Sequence, residues 1–191
     1  MGTRHLIEVV NNNEIKVAQY GQWDGYPDGQ GVDILSFLSK LDNLDTFKKQ
    51  LDKVRFLTTE EINLINDKLS KREINMPPEL SRDTSAKLLP MIMEIEDDKE
   101  LLLHNKHDFG YDSLFCEWAY VIDLDKNVLE VYRGFVTEKD KQAERWHTDN
   151  KTNNNPDTSY FGVELVKSFE LNNLPPEQVF LSYFTEDEDE E

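Results

Sequence analysis

The sequence predicts an α+β fold with a largely antiparallel sheet. Three observations carry that reading. Residues 4–20 read as a β-hairpin, residues 31–95 read as a run of helices, and residues 115–135 read as a second hairpin. Strands and helices that segregate along a chain favour α+β over alternating βαβ units.

The elements follow in order. "RHLIEVV" at 4–10 reads as a strand, "NNNE" supplies turn residues, and "IKVAQY" at 15–20 alternates apolar and polar side chains with period two. A glycine-rich loop fills 20–31. Val32, Leu35, Phe37, Leu38 and Leu41 then give a helical apolar face. A second helix is expected over 44–57, with Leu44, Phe47, Leu51 and Val54 at spacings of three and four. Thr58 with Glu61 forms a capping box that opens a third, lined by Ile62, Ile65 and Leu69. Pro77 and Pro78 end this part. A fourth helix is expected over 81–95, kinked or divided at Pro90.

The second half changes character. "FCEWAYVIDL" at 115–124, "DKN" and "VLEVYRGF" at 128–135 make the second hairpin. A polar excursion follows, with some helix near 138–146. Residues 160–171 suit strand or helix, and 179–184 read as a strand. The expected organisation is one domain over 1–184 and a disordered acidic tail over 185–191.

Composition bounds the function. The chain has 191 residues and a net charge of -18, with six of the negative charges in residues 186–191. Nucleic-acid affinity comes from clustered Lys and Arg, and no basic stripe is present, so direct nucleic-acid binding is not expected. One cysteine, Cys116, excludes an internal disulfide framework and fits a reducing cytoplasm. No apolar run reaches the ~18 residues of a membrane helix. The amino end shows neither a signal-peptide core nor, with Leu6 at the sixth position, a myristoylation pattern. A cytoplasmic protein without a membrane partner is expected.

The stretch "YGQWDGYPDGQG" is the foremost candidate site. Its glycines allow tight bends, Trp23 and Tyr26 offer a stacking platform, Asp24 accepts hydrogen bonds or takes a proton, and Gln22 both donates and accepts. The opposing reading is that the two rings cap the open end of the sheet. The glycine spacing is that of neither a dinucleotide nor a phosphate loop, so no nucleotide cofactor is expected. His104, His107 and Asp108 are the nearest approach to a metal site, but they supply too few ligands, and no metal is expected. Cys116 sits in an apolar strand, where cysteine serves as a small buried hydrophobe. No residue emerges as catalytic, and the common hydrolase, protease and redox signatures are absent.

Two resemblances add to this. "GTR" at 2–4 and "GQWD" at 21–24 resemble the start of the choloylglycine-hydrolase-like N-terminal nucleophile hydrolases. That likeness implies a four-layer αββα sandwich, with Arg4 and Asp24 lining an amide-hydrolase pocket. At the nucleophile position this chain has Gly2, which offers no attacking side chain. "MGTRHLI", "AQYGQWDGYP" and "FCEWAYVIDLD" together resemble an uncharacterised family of small proteins from phages, bacteria and fungi, a likeness that supplies no reaction.

The leading expectation is a binding or regulatory protein. Its pocket would lie near the first hairpin and the loop, floored by Arg4, Gln22 and Asp24 with Trp23 or Tyr26 exposed, and would hold a small polar ligand or a protein partner. The alternatives are a degenerate amide hydrolase and an acidic phage decoy that occupies a host nucleic-acid-binding or defence protein.

Overall fold

Two hairpins lie side by side and build most of one five-stranded sheet. The computed structural model describes residues 2–148 and 160–185. β1 (His5–Asn11) and β2 (Glu14–Gly21) form the first hairpin; β5 (Trp118–Asp123) and β6 (Val128–Arg133) form the second. β7 (Glu164–Glu170) completes the order β2-β1-β5-β6-β7. Every neighbouring pair is antiparallel except β1 with β5, which run parallel from His5 opposite Trp118 to Val10 opposite Asp123. The turn of the first hairpin uses Asn12 and Asn13 at φ 56° and 59°, a conformation asparagine tolerates better than most residues. The Asp125 carboxylate accepts from both their backbone N–H groups, at 2.9 and 2.7 Å, and so ties the two hairpin turns together.

A short parallel pair, β3 (Val54–Phe56) with β4 (Leu101–Leu103), extends this edge of the sheet through an isolated bridge between Ala18 and Asn105. The αββα expectation needs two sheets stacked face to face. Among the described residues there is one five-stranded sheet and this two-stranded pair, so that arrangement has no counterpart.

Strand alternation sorts the side chains. Ile7, Val9, Tyr120, Ile122, Leu129 and Val131 point to one face. Helices α1 (Val32–Ser39), α2 (Leu44–Leu51), α4 (Leu88–Met93) and α5 (Glu177–Ser182) cover it with Ile34, Phe47, Leu89, Ile92 and Phe180. Leu6, Val10, Ala119, Val121 and Tyr132 point to the other face. There Trp146, Cys116 and Val163 meet them from short helical turns and irregular chain. With both faces covered, β1 is buried along its whole length.

α3 (Thr59–Ser70) stands apart, with no fully buried residue. Its start carries the expected capping box: Thr58 accepts from the Glu61 N–H and Glu61 accepts from the Thr58 N–H. Arg55 adds a two-pronged pair to Glu61 at 2.8 and 2.9 Å.

Several elements differ from expectation. The helix expected over 44–57 ends at Leu51, and Val54 turns into β3. The helix expected over 81–95 begins only at Leu88, after a 3-10 turn at Ser85–Lys87. Pro90 falls in the first turn of α4, where a backbone N–H has no intrahelical acceptor, so it neither kinks nor divides the helix. Of residues 160–171, Glu164–Glu170 resolve to strand and Leu171 begins a 3-10 turn, and helix near 138–146 reduces to 3-10 turns at Lys139–Lys141 and Glu144–Trp146. The strand expected over 179–184 is instead α5, which brings Phe180 and Phe184 to one side, ring centroids 5.0 Å apart, against Phe169. The acidic run 186–191 and the polar stretch 149–159 lie outside the described residues. No helix among the described residues is long and apolar enough to cross a membrane.

Candidate functional site

The loop after β2 starts with a packing problem. His5 is wholly buried between Gly21 and Gly25. A Cβ on Gly21 would lie 2.2 Å from the His5 ring, and one on Gly25 would lie 2.7 Å from the Thr3 carbonyl oxygen. These glycines therefore make room for an imidazole. None of the described glycines takes a positive φ; Asp24 does, at 54°. Burial pushes the His5 pKa down to about 4, with a weaker opposing pull from the Thr3 backbone that closes no well-shaped hydrogen bond, so the ring is neutral at pH 7. The loop then closes into a single π turn at Pro27–Gly31, and Gly25 is fixed by the Tyr120 hydroxyl donating to its carbonyl at 2.8 Å.

The five residues singled out from the sequence have different neighbours. Trp23 is 48% exposed, and its indole N–H donates to Asp83 at 2.9 Å. Tyr26 is 53% exposed and lines a cleft of about 470 Å³ with Pro27, Trp118, Leu181 and Phe184. The Gln22 N–H donates to the Arg82 carbonyl at 3.0 Å, and its side-chain oxygen accepts from the Tyr20 hydroxyl at 2.6 Å. Asp24 is exposed, and its carbonyl accepts from the Gln30 N–H at 2.9 Å. Arg4 is taken up elsewhere: it pairs with Glu117 at 3.3 Å and lies 4.7 Å above the Phe115 ring.

Beside this loop lies a cleft of about 440 Å³. One wall is the edge strand, through Gln19 and Tyr20; another is the 76–83 segment, through Met76, Leu80, Arg82 and Asp83; the third is His104 with Lys106, just after β4. Loop and cleft share the Trp23–Asp83 and Gln22–Arg82 bonds, so they form one unit. The Gln19 amide donates to the Ser81 carbonyl at 3.0 Å and holds the 76–83 wall against the sheet. Burial, then the nearby Lys106 charge, lower the His104 pKa.

A second polar constellation lies on the sheet face away from the helices. Glu8 is wholly buried. One of its oxygens is 2.7 Å from His107 Nδ1, and the other finds no partner. Burial raises the Glu8 pKa against the pull of His107, and the hydrogen bond that the His107 ring donates to the Glu8 carboxylate raises that of His107, so the pair keeps a proton above the ordinary range of either group. The His107 ring stacks on buried Trp146, whose indole N–H donates to the His107 carbonyl at 3.0 Å. Arg145 reaches Asp123 at 3.0 Å and Glu130 at 2.8 Å, and Glu130 accepts from the Tyr132 hydroxyl at 2.6 Å. Glu130, Tyr132 and Arg145 line a further cleft of about 520 Å³ with Lys126 and Lys141.

His104 and His107 therefore part company, one in the cleft beside the loop and the other on Glu8. Among the described residues no group of three or more His, Cys, Asp or Glu is placed to hold a metal ion. Cys116 is buried, and burial together with nearby Glu8 and Asp112 keeps its thiol protonated. Sequence reasoning missed Arg82, which sits in an unremarkable polar stretch, and Lys106, which lies between the two histidines weighed as metal ligands. It missed Glu8, Asp123 and Glu130 too, although each is a lone carboxylate inside an apolar strand, the one signal that marks them. Compared with family models, curated proteins and solved structures, the chain matches none, and the chemistry of its own clefts carries the functional reading.

Proposed function

We propose that this is a binding protein that holds a small polar ligand in the cleft between β2, the 76–83 segment and residues 104–106. The observation that carries the reading is the lining of that cleft. At about 440 Å³ it has small-ligand size, and it sets the apolar Met76 and Leu80 beside the polar Gln19, Tyr20 and His104. Apolar walls supply affinity and a few fixed polar groups supply orientation. The loop with Trp23 and Asp24 forms a rim, tied on through Asp83, and does not itself make the floor.

The test is a titration of isotope-labelled protein with a panel of small polar metabolites, read by amide shifts. Shifts concentrated at Tyr20, Leu80 and His104 support the reading, and Met76→Trp, which fills the cleft from an exposed position, is expected to abolish them without lowering the melting temperature. Shifts confined to the Arg145 cleft, or none across the panel, would overturn it.

A further inference from the structure

The same cleft has a charge pattern at odds with the rest of the chain. The protein carries a net charge of -18, yet the cleft lining holds two permanent cations, Arg82 and Lys106, against one carboxylate, Asp83. Elsewhere basic side chains are often tied up: Arg4 with Glu117, Arg55 with Glu61 and Arg145 with Glu130. Arg82 and Lys106 form no ion pair with a carboxylate among the described residues. Asp83 is adjacent in sequence to Arg82, but its carboxylate takes the Trp23 indole N–H at 2.9 Å instead. The cleft therefore presents unspent cationic donors next to the apolar surface of Met76 and Leu80.

The acidity of the whole molecule does not cancel this. At physiological salt the screening length is about 8 Å, so distant carboxylates contribute little at the cleft, and the local cations decide the sign. Resting on the reading of this cleft as a binding site, we infer that its ligand is a small organic anion: a carboxylate or phosphomonoester carried on a compact apolar body. Arg82 offers a planar fork suited to either acid group, Lys106 offers a point charge, and the Met76–Leu80 wall takes the apolar part. Burial lowers the His104 pKa, and the charge of Lys106 beside it acts in the same direction.

The experiment uses the full chain and three probes: benzoate, phenyl phosphate and benzyl alcohol, which share a ring and differ in charge. Benzoate and phenyl phosphate are expected to shift the Arg82, His104 and Lys106 signals and to bind about tenfold more tightly than the alcohol. Arg82→Gln and Lys106→Gln are each expected to weaken both anions about fivefold, and together ~20-fold, with the alcohol unchanged. Both positions are exposed, so circular dichroism is expected to be unaltered. If benzyl alcohol binds the cleft as well as the anions do, or the double variant leaves anion affinity unchanged, the anionic class is wrong while the cleft reading survives. If none of the probes perturbs these residues, both fail. Preference between the two anions then tells a carboxylate ligand from a phosphate ester.

Discussion

The two faces of the sheet are built on different principles. Toward the helices, side chains such as Ile7, Ile122 and Leu129 meet Ile34, Phe47 and Leu89, and burial holds the two titratable groups on this face, His5 and Tyr120, in their neutral forms. Toward the short helical turns, the same strands offer Glu8, Asp123 and Glu130, met by His107 and Arg145. The first face is stabilised by apolar burial, at about 1.5–3 kcal/mol per large side chain. The second depends on each buried carboxylate finding a cation. The difference teaches that one sheet can combine a tolerant side, where volume matters, with an exacting side, where partners must be present together.

The largest expected effect breaks the exacting side. Arg145→Met leaves Glu130 buried without its cation and Asp123 with only the more distant Lys126, at 4.0 Å, and is expected to cost ~3–5 kcal/mol in urea unfolding. Adding Asp123→Asn and Glu130→Gln is expected to recover part of it. A loss under about 1 kcal/mol would place these charges in water and end the comparison.

Next comes pH, where the faces act with opposite sign. His5 has a folded pKa of about 4 against 6.5 unfolded, so between those values the unfolded chain binds more protons. Its contribution is complete above pH 6.5 and is lost as the pH falls toward 4, a change of about 3 kcal/mol. Glu8 and His107 are both raised, so theirs is present at low pH and lost as the pH rises through their folded values. His5→Leu is expected to flatten the acid limb of stability against pH, and an unchanged limb would assign it to other groups.

Gly21→Ala sharpens the apolar side. The new methyl meets the His5 ring at 2.2 Å, and ~1–3 kcal/mol of overpacking cost is expected in thermal or urea unfolding. The smallest effect belongs to the loop rim. Trp23→Ala removes one half-exposed hydrogen bond to Asp83 and is expected to cost about 1 kcal/mol or less, while loosening the 76–83 wall enough to show in amide exchange.

The sequence announced both hairpins and α3, because period-two alternation and a capping box are local signals. It did not announce β3, β4 or α5, whose six residues or fewer are too short for periodicity to sort strand from helix. The loop at 20–31 stood out, but for a reason that proved indirect: Gly21 and Gly25 answer to His5. Tyr20 and His104 were noticed for other reasons, but the cleft itself was invisible, because Tyr20, Leu80 and His104 meet only when the fold brings three distant segments together. Glu8 and His107 lie 99 residues apart, so nothing local pairs them.

The parallel contact at the middle of the sheet bears on how the chain reaches this state. Each hairpin closes through a short turn, but β1 can meet β5 only after a long loop has closed, as Arg4 and Glu117, 113 residues apart, show. Pairings of such long range slow the search for the native topology. During synthesis the first hairpin must wait, its inner edge open, until the second leaves the ribosome. An amino-terminal fragment ending before Trp118 would keep that edge bare and tend to self-associate.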